Sequence, residues 1–225
     1  MGEAIGLVLP LGVGVALSPL SIIAVVLMLG TDRARSNGPA FLVGWLLGLL
    51  VVGSIVLLLS GGADAGEAGE PATWVSLLEL VLGVGLLLVA VRTWRGRPSE
   101  DEPGSLPSWM QAIDSFTPMR SLGMATVLSG VNPKNLLLTL GAAAAIAQTG
   151  ISAGQQVVAL VVFAVIGAIG PAIPVGIYFL MGDRSQTVLA DLKSWFGRNN
   201  AAIMAVLCVV IGAKLVGDGI AGLSG

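Results

Sequence analysis

Histidine is absent from this 225-residue chain, and Cys208 is its one cysteine. A metal site built on histidine or cysteine and an intramolecular disulfide are therefore excluded. Charged residues are scarce as well, at 11%, whereas a soluble domain carries about 25%. With 55% hydrophobic residues and a mean hydropathy of +0.94, the composition indicates an all-α integral membrane protein with little mass outside the bilayer.

The chain also lacks a nucleotide-binding loop, which argues against ATP hydrolysis by this protein. We therefore expect no enzyme activity, no cofactor, no metal and no nucleic-acid partner. Energy for any transport would come from a proton gradient, a substrate gradient or a partner. The first apolar run has no basic residues before it, so we expect no cleaved signal peptide.

Six apolar runs have the length of about 20 residues that a membrane-spanning helix needs. They predict spans at residues 4–29, 39–60, 73–94, 121–147, 156–181 and 201–221. The loops between them differ sharply in basic residues. Nine of the eleven lysines and arginines fall on one side and none on the other: Arg33, Arg35, Arg92, Arg95, Arg97, Arg120, Arg184, Lys193 and Arg198. The positive-inside rule then places both termini outside the cytoplasm.

The longest connection divides the chain into two halves. We predict a first three-helix repeat at 1–95, a cytoplasmic linker at 96–120 and a second repeat at 121–225. Since each half has an odd number of spans, related halves would form an inverted repeat, as in many transporters. Aligning Pro19 with Pro133 pairs Ser18 with Asn132 and Ser21 with Asn135. In a separate match between the third and sixth spans, residues 82–86 resemble 211–215.

Two prolines interrupt predicted spans close to the middle of the bilayer. Counted at ~1.5 Å per residue, Pro19 lies ~23 Å from the outer face and Pro133 ~20 Å from the inner face. Inverted-repeat transporters bind substrate in this central zone, at broken helices. The polar residues around both prolines predict a substrate-binding site made of Ser18, Pro19, Ser21, Asn132, Pro133, Lys134 and Asn135.

Lys134 is the strongest candidate in this set, because an ammonium inside a membrane span is costly and is usually functional. We expect it to face an internal cavity that it shares with Ser18 and Ser21, and to contact an anionic or hydroxyl-rich group. The alternative is that both prolines are simple kinks whose freed backbone groups are satisfied by serine and asparagine. That alternative explains Ser18 and Ser21 well and Lys134 poorly.

A second group of charged candidates lies inside predicted spans. Glu79 and Lys214 have similar depth below the outer face and opposite sign, so they are candidates for an ion pair or for coupling to an ion. Asp218 is one helical turn from Lys214 and is the alternative partner. A structural bridge, a proton relay and a lysine that reaches the interface remain open.

Small residues predict close helix packing in two further spans. Gly44 and Gly48 form one small-residue face, while Gly170, Pro171 and Pro174 form a candidate hinge in the fifth span. The faces would serve packing within the chain or, as an alternative, a homodimer. Cys208 is interpreted as a small packing residue.

Taken together, a Ser-Pro in the first span and Asn132-Pro133-Lys134-Asn135 in the fourth make the chain resemble the LysE superfamily of exporters. Within it, the chain resembles the GAP family, the glycopeptidolipid or peptidoglycolipid addressing proteins of mycolic-acid-bearing actinobacteria. Amino-acid exporters of the superfamily carry a glycine before the first-span proline, which this chain replaces with Ser18. Cys208 alone does not supply the two cysteines of the superfamily's thiol-redox carriers.

The resemblance implies a multi-pass plasma-membrane exporter of a cell-envelope lipid, a glycolipid or a precursor. Its partners would be that lipid and, in addition, lipid-synthesis or export proteins. Two alternatives stay open: a small-solute or ion exporter of the LysE type, and a membrane scaffold that recruits lipid-synthesis enzymes without transporting anything.

Overall fold

The computed structural model describes residues 1–62, 73–96, 113 and 115–224. The regular structure that it gives for this part of the chain is helical. The helices are α1 (Gly2–Ala16), α2 (Pro19–Leu29), α3 (Ala34–Gly62), α4 (Thr73–Arg95), α5 (Pro118–Gly130), α6 (Pro133–Gln148), α7 (Ala153–Met181) and α8 (Ser185–Ser224), with one 3₁₀ turn at Gly182–Arg184. An all-helical membrane protein is the fold class that the composition predicts.

Four of the described helices are long and apolar enough to cross a membrane, namely Ala34–Leu59, Ser76–Arg95, Ala153–Met181 and Ser185–Ser224. The bent pair α1 and α2 makes a fifth. The sequence predicts six spans, and α5 with α6, which cover the predicted fourth span, are not among these five. Arg120 and three hydroxyl side chains make α5 the more polar half of that stretch.

The helix ends follow local sequence signals. Thr117 caps α5 by accepting from the backbone N of Arg120 (3.4 Å), and Pro118 occupies its first turn. A capping box of Ser152 and Gln155 begins α7. Between α6 and α7 the chain turns at Gly150, whose φ of +62° suits glycine.

The last helix departs most from its predicted limits. α8 begins at Ser185 rather than at residue 201 and continues for 40 residues. At 1.5 Å per residue it is about 60 Å long, roughly twice the thickness of the hydrocarbon core. Leu189 and Phe196 are buried in its first half, so this part packs on the protein instead of forming a loop. The apolar run marks the part that can lie in lipid, whereas the helix continues beyond it.

Helix packing follows a regular pattern. α4 lies along α8, α3 lies along α5, and α1 lies along α7 and contacts α6. The short helix α2 contacts α7 and α8, and the short helix α6 contacts α3 and α4. The broken helices are therefore surrounded by the long ones, and the largest fully buried side chains include Trp45, Phe41, Lys134 and Phe163.

The small-residue faces serve contacts within the chain. A Cβ on Gly44 would overlap the backbone of Leu122 in α5, and one on Gly48 would overlap Ser129. On α7, a Cβ on Gly170 would overlap the carbonyl of Ala16 at the end of α1. The packing that we predicted for these glycines is confirmed, and a homodimer stays a prediction.

Two predicted connections lie largely outside the described residues. These are the basic-poor outer loop, within 63–72, and most of the linker at 96–120. The division into two repeats and a linker, and the orientation of the termini, therefore stay predictions.

Candidate functional site

The first proline break separates α1 from α2. α1 ends at Ala16, and α2 begins at Pro19 after a bend of 53°. Ser18 is extended at the N-cap, and Pro19 sits in the first turn, where a helix needs no N–H donor. The Ser21 hydroxyl donates to the Ser18 carbonyl (2.7 Å). A helix end of this kind leaves carbonyls in its last turn without partners inside the helix.

The second break, at Asn132 and Pro133, is closed by its own side chains. Asn132 caps α6 because its Oδ1 accepts from the backbone N of Lys134 (3.1 Å). The Nδ2 of Asn135 donates to the carbonyl of Leu128 in the last turn of α5 (3.2 Å). Both predicted proline breaks are thus confirmed as helix ends, and the second one satisfies its backbone locally.

Lys134 connects the two breaks. Its Nζ donates to the carbonyls of Gly14 (2.8 Å) and Leu17 (3.2 Å), at the carboxyl end of α1, and the residue is 1% exposed. A helix carries partial negative charge at this end, which favours a cation. A hydrogen bond from a charged donor contributes about 1.5–3 kcal/mol. A side chain of α6 therefore completes the end of α1.

The approach of α6 to α1 depends on Gly14. A Cβ there would meet Leu138 of α6 at 3.1 Å and would overlap the side chain of Ile211 of α8. Cys208, also of α8, is buried within electrostatic range of Lys134. Three helices therefore meet around this one nitrogen.

The structure brings most of the predicted site residues to one region but uses them differently from our expectation. We expected Lys134 to face a cavity, whereas its nitrogen lies on two backbone carbonyls, which the break in α1 makes available. Ser21 is used within its own turn. Asn135, at 0% exposure, keeps its Oδ1 without a hydrogen-bond partner in the described part of the chain. Substrate binding by these residues stays a prediction.

Sequence reasoning did not place Gly14, Leu17 or Cys208 near Lys134. The first two contribute backbone carbonyls, which carry no residue signature. A partial signal existed, because a proline break frees carbonyls and a lysine only donates. The neighbourhood of Cys208 depends on how α8 is rotated, which an apolar sequence does not indicate.

A second polar cluster lies where α4, α8 and the end of α6 meet. Lys214 forms its ion pair with Asp218, the alternative partner, and both side chains are partly exposed. Glu79 is buried at 6% exposure, lies within electrostatic range of both, and has the Gln148 amide beside it. The structure gives no ion pair between Glu79 and Lys214 among the residues it describes.

The candidate hinge lies inside a continuous helix. α7 runs through Pro171 and Pro174, both buried, and Gly170 packs on the end of α1. Trp45 of α3 donates its Nε1 to the carbonyl of Gly167, one turn earlier (3.0 Å). Hinge motion stays a prediction.

A family model described as Sap, sulfolipid-1-addressing protein, matches residues 8–221, which is nearly the whole chain. No curated protein and no solved structure matches the chain.

Proposed function

We infer the function from one premise: this chain belongs to the sulfolipid-1-addressing protein family. It is a membrane protein of a lipid-addressing family. We propose that it exports a cell-envelope lipid, a glycolipid or a precursor of one from the inner to the outer side of the plasma membrane. The family name refers to a sulfolipid, and from it we take for this chain an anionic, hydroxyl-rich headgroup.

The observation that carries this proposal is the buried nitrogen of Lys134 at a junction of two broken helices. A cation there is expensive to retain, and a simple kink does not require one. A sulfate or phosphate oxygen is a stronger acceptor for it than a backbone carbonyl. An anionic headgroup would therefore compete with Gly14 and Leu17 for Lys134 and release the end of α1.

Asn135 supports a headgroup that also carries hydroxyls. Its Oδ1 is fully buried and has no partner in the described part, although a buried acceptor normally has one. A sugar hydroxyl would supply the missing donor. Lys134 is the preceding residue in the chain, and we propose that one headgroup reaches both side chains.

We further propose six spans arranged as two inverted three-helix repeats, the architecture of the LysE superfamily. The support is in the helix contacts. Exchanging α1 with α5, α2 with α6, α3 with α7 and α4 with α8 converts the α1–α7 contact into the observed α5–α3 contact. The same exchange converts α2–α8 into α6–α4, and α2–α7 into α6–α3.

Two glycines support this symmetry at its centre. A Cβ on Gly83 of α4 would meet the carbonyl oxygen of Gly212 at 2.8 Å, and a Cβ on Gly212 would meet that of Gly83 at 2.9 Å. The separate match between the third and sixth spans pairs these same glycines. A residue that contacts its own counterpart reciprocally is what a two-fold axis requires.

The remaining details stay part of the proposal. They are membership of the LysE superfamily and the relation to its GAP branch, both termini outside the cytoplasm, lipid-synthesis or export partners, and transport without ATP hydrolysis by this chain. The nine-to-zero distribution of basic loop residues supports the orientation.

A second candidate is a scaffold that does not transport. The observation in its favour is that the Lys134 nitrogen is already satisfied by two carbonyls, so its burial has a structural explanation. On this hypothesis the junction only holds the helices together. The exporter requires Lys134 to exchange the carbonyls of Gly14 and Leu17 for a lipid headgroup, whereas the scaffold does not.

The experiment compares Lys134→Met, Lys134→Arg and the control Lys193→Met in a deletion strain, at matched amounts of folded membrane protein. Surface display of envelope lipids is measured by extraction of the intact cell surface. We expect no display with Lys134→Met, partial display with Lys134→Arg because its planar fork differs in reach, and full display with the control. Full display with folded Lys134→Met would favour the scaffold.

A further inference from the structure

Glu79 is a buried ionisable residue that takes no part in the proposed headgroup site around Lys134. It lies on α4 at 6% exposure, and the nearest cation, Lys214, is bound to Asp218. The charge of Lys214 is neutralised by Asp218. Among the described residues, the Glu79 carboxyl therefore has no ion-pair partner. A carboxylate inside a membrane needs a proton, a cation or a direct partner.

Two further polar groups at this place are unsatisfied. The Oγ of Ser76, one turn before Glu79 and 1% exposed, has no hydrogen-bond partner in the described part of the chain. The buried Nε2 of Gln148 likewise makes no hydrogen bond there, although its amide lies beside the Glu79 carboxyl. The Glu79 carboxyl and the Gln148 amide are close enough to interact. The Ser76 hydroxyl and the Gln148 Nε2 nevertheless lack well-formed hydrogen bonds in the described part of the chain, and such unsatisfied buried groups beside a carboxyl indicate a site that changes its occupancy.

We propose that Glu79, Ser76 and Gln148 form a proton-binding site that is coupled through α6 to Lys134. A proton is favoured over a metal ion because the cluster offers one carboxyl and Lys214 nearby repels a second cation. The groups that face Glu79 are Lys214 and Asp218 from α8 and the neutral Gln148 from α6. Its own helix has no other described charge before Arg92.

The coupling follows from the position of α6. This helix has Lys134 in its first turn and Gln148 as its last residue, a separation of about 21 Å at 1.5 Å per residue. Loss of the proton creates a carboxylate that attracts both the Gln148 amide and Lys214. Either movement changes the contact of α6 with the α4–α8 pair, and Lys134 moves with α6 relative to α1. This inference rests on the proposed function, since proton binding at Glu79 would supply the energy for export.

Proton binding is tested without any lipid substrate. Infrared difference spectra of the purified protein in lipid nanodiscs are recorded across a pH titration. We expect a carbonyl band of a protonated carboxylic acid that is lost in Glu79→Gln and kept in Glu3→Gln, a change at an exposed carboxylate. A titrating band that survives in folded Glu79→Gln, or no such band in the unmodified protein, would overturn the proton site.

Coupling is tested with the native Cys208, which is buried within electrostatic range of Lys134. The rate at which a membrane-permeant maleimide alkylates Cys208 is measured in the unmodified protein and in Glu79→Gln at the same pH. Because the thiol is the same in both proteins, the effect of pH on the thiol itself cancels in the ratio of the two rates. We expect equal rates at acidic pH and a several-fold difference at alkaline pH, and we expect Gln148→Leu to reduce that difference. Equal rates at every pH would overturn the coupling. Neither result depends on lipid export, so failure here and failure of the proposed function are distinguishable.

Discussion

The two proline breaks have similar sequences but are completed in different ways. At Asn132-Pro133, the asparagine side chains of the break satisfy the helix ends on both sides. At Ser18-Pro19, the Ser18 side chain makes no capping hydrogen bond, and carbonyls of α1 are satisfied by Lys134 from α6. One break is self-contained, and the other depends on a residue about 120 positions away in the chain.

This difference indicates which half-helix is able to move. The end of α5 is held by hydrogen bonds within its own break, so it remains complete when its neighbours shift. The end of α1 loses two hydrogen bonds as soon as Lys134 finds a better acceptor. In the alignment of the halves, Leu20 occupies the position that corresponds to Lys134, so the first half has no lysine to play the same role. If the chain is an exporter, as we propose, its substrate would act at the end of α1.

The largest effect is expected from a new side chain where the end of α1 or the end of α5 packs against a neighbouring helix. Gly170 contacts the end of α1 and Gly48 the end of α5, in each case without room for a Cβ. Gly170→Val and Gly48→Val should each cost more than about 3 kcal/mol, because backbone cannot move aside. The yield of monodisperse protein in detergent and its thermal unfolding measure this. Gly176→Val on the same helix as Gly170 is the control, since a Cβ there meets nothing within 4 Å. Equal yields for all three would contradict the packing.

Much of this fold was accessible from the sequence because the length of an apolar run indicates directly whether a helix can span the bilayer. The limits of α3, α4 and α7 agree with the predicted spans within a few residues. The start of α8 was missed because a helix continues past the membrane wherever nothing stops it. The break at Pro133 divides the predicted fourth span into α5, with 13 residues, and α6, with 16, and each is shorter than the roughly 20 residues that a membrane-spanning helix needs.

The site was accessible only in part. The prolines identified both breaks, since a missing N–H and a fixed φ act locally. The partners of Lys134 were not predictable, because they are backbone carbonyls selected by the packing of α1 against α6. Likewise, Lys214 pairs with Asp218 rather than with Glu79, because side chains four residues apart on one helix lie on the same face and close together.

An intermediate effect is expected from removing the connection between the breaks. Lys134→Met leaves Gly14 and Leu17 without a donor, which should cost about 2 kcal/mol after the saving from not burying an ammonium. Thermal unfolding in nanodiscs measures the loss, and hydrogen exchange should show faster exchange at the end of α1 than at the end of α5. Lys193→Met should change neither. Equal acceleration at both ends would mean that the two breaks are not independent.

The smallest effect separates the two N-caps. Asn132 and Ser18 both precede a proline at the first turn of a helix, but only Asn132 caps with its side chain. Asn132→Ala should therefore cost about 1 kcal/mol, and Asn132→Ser should retain most of that stability because serine also caps well. Ser18→Ala should change the free energy of unfolding by no more than a few tenths of a kcal/mol, since it removes no capping hydrogen bond. The three values come from parallel denaturation of matched preparations. A Ser18→Ala cost equal to that of Asn132→Ala would show that the first break also depends on its own side chain, and the contrast between the two breaks would then rest on Lys134 alone.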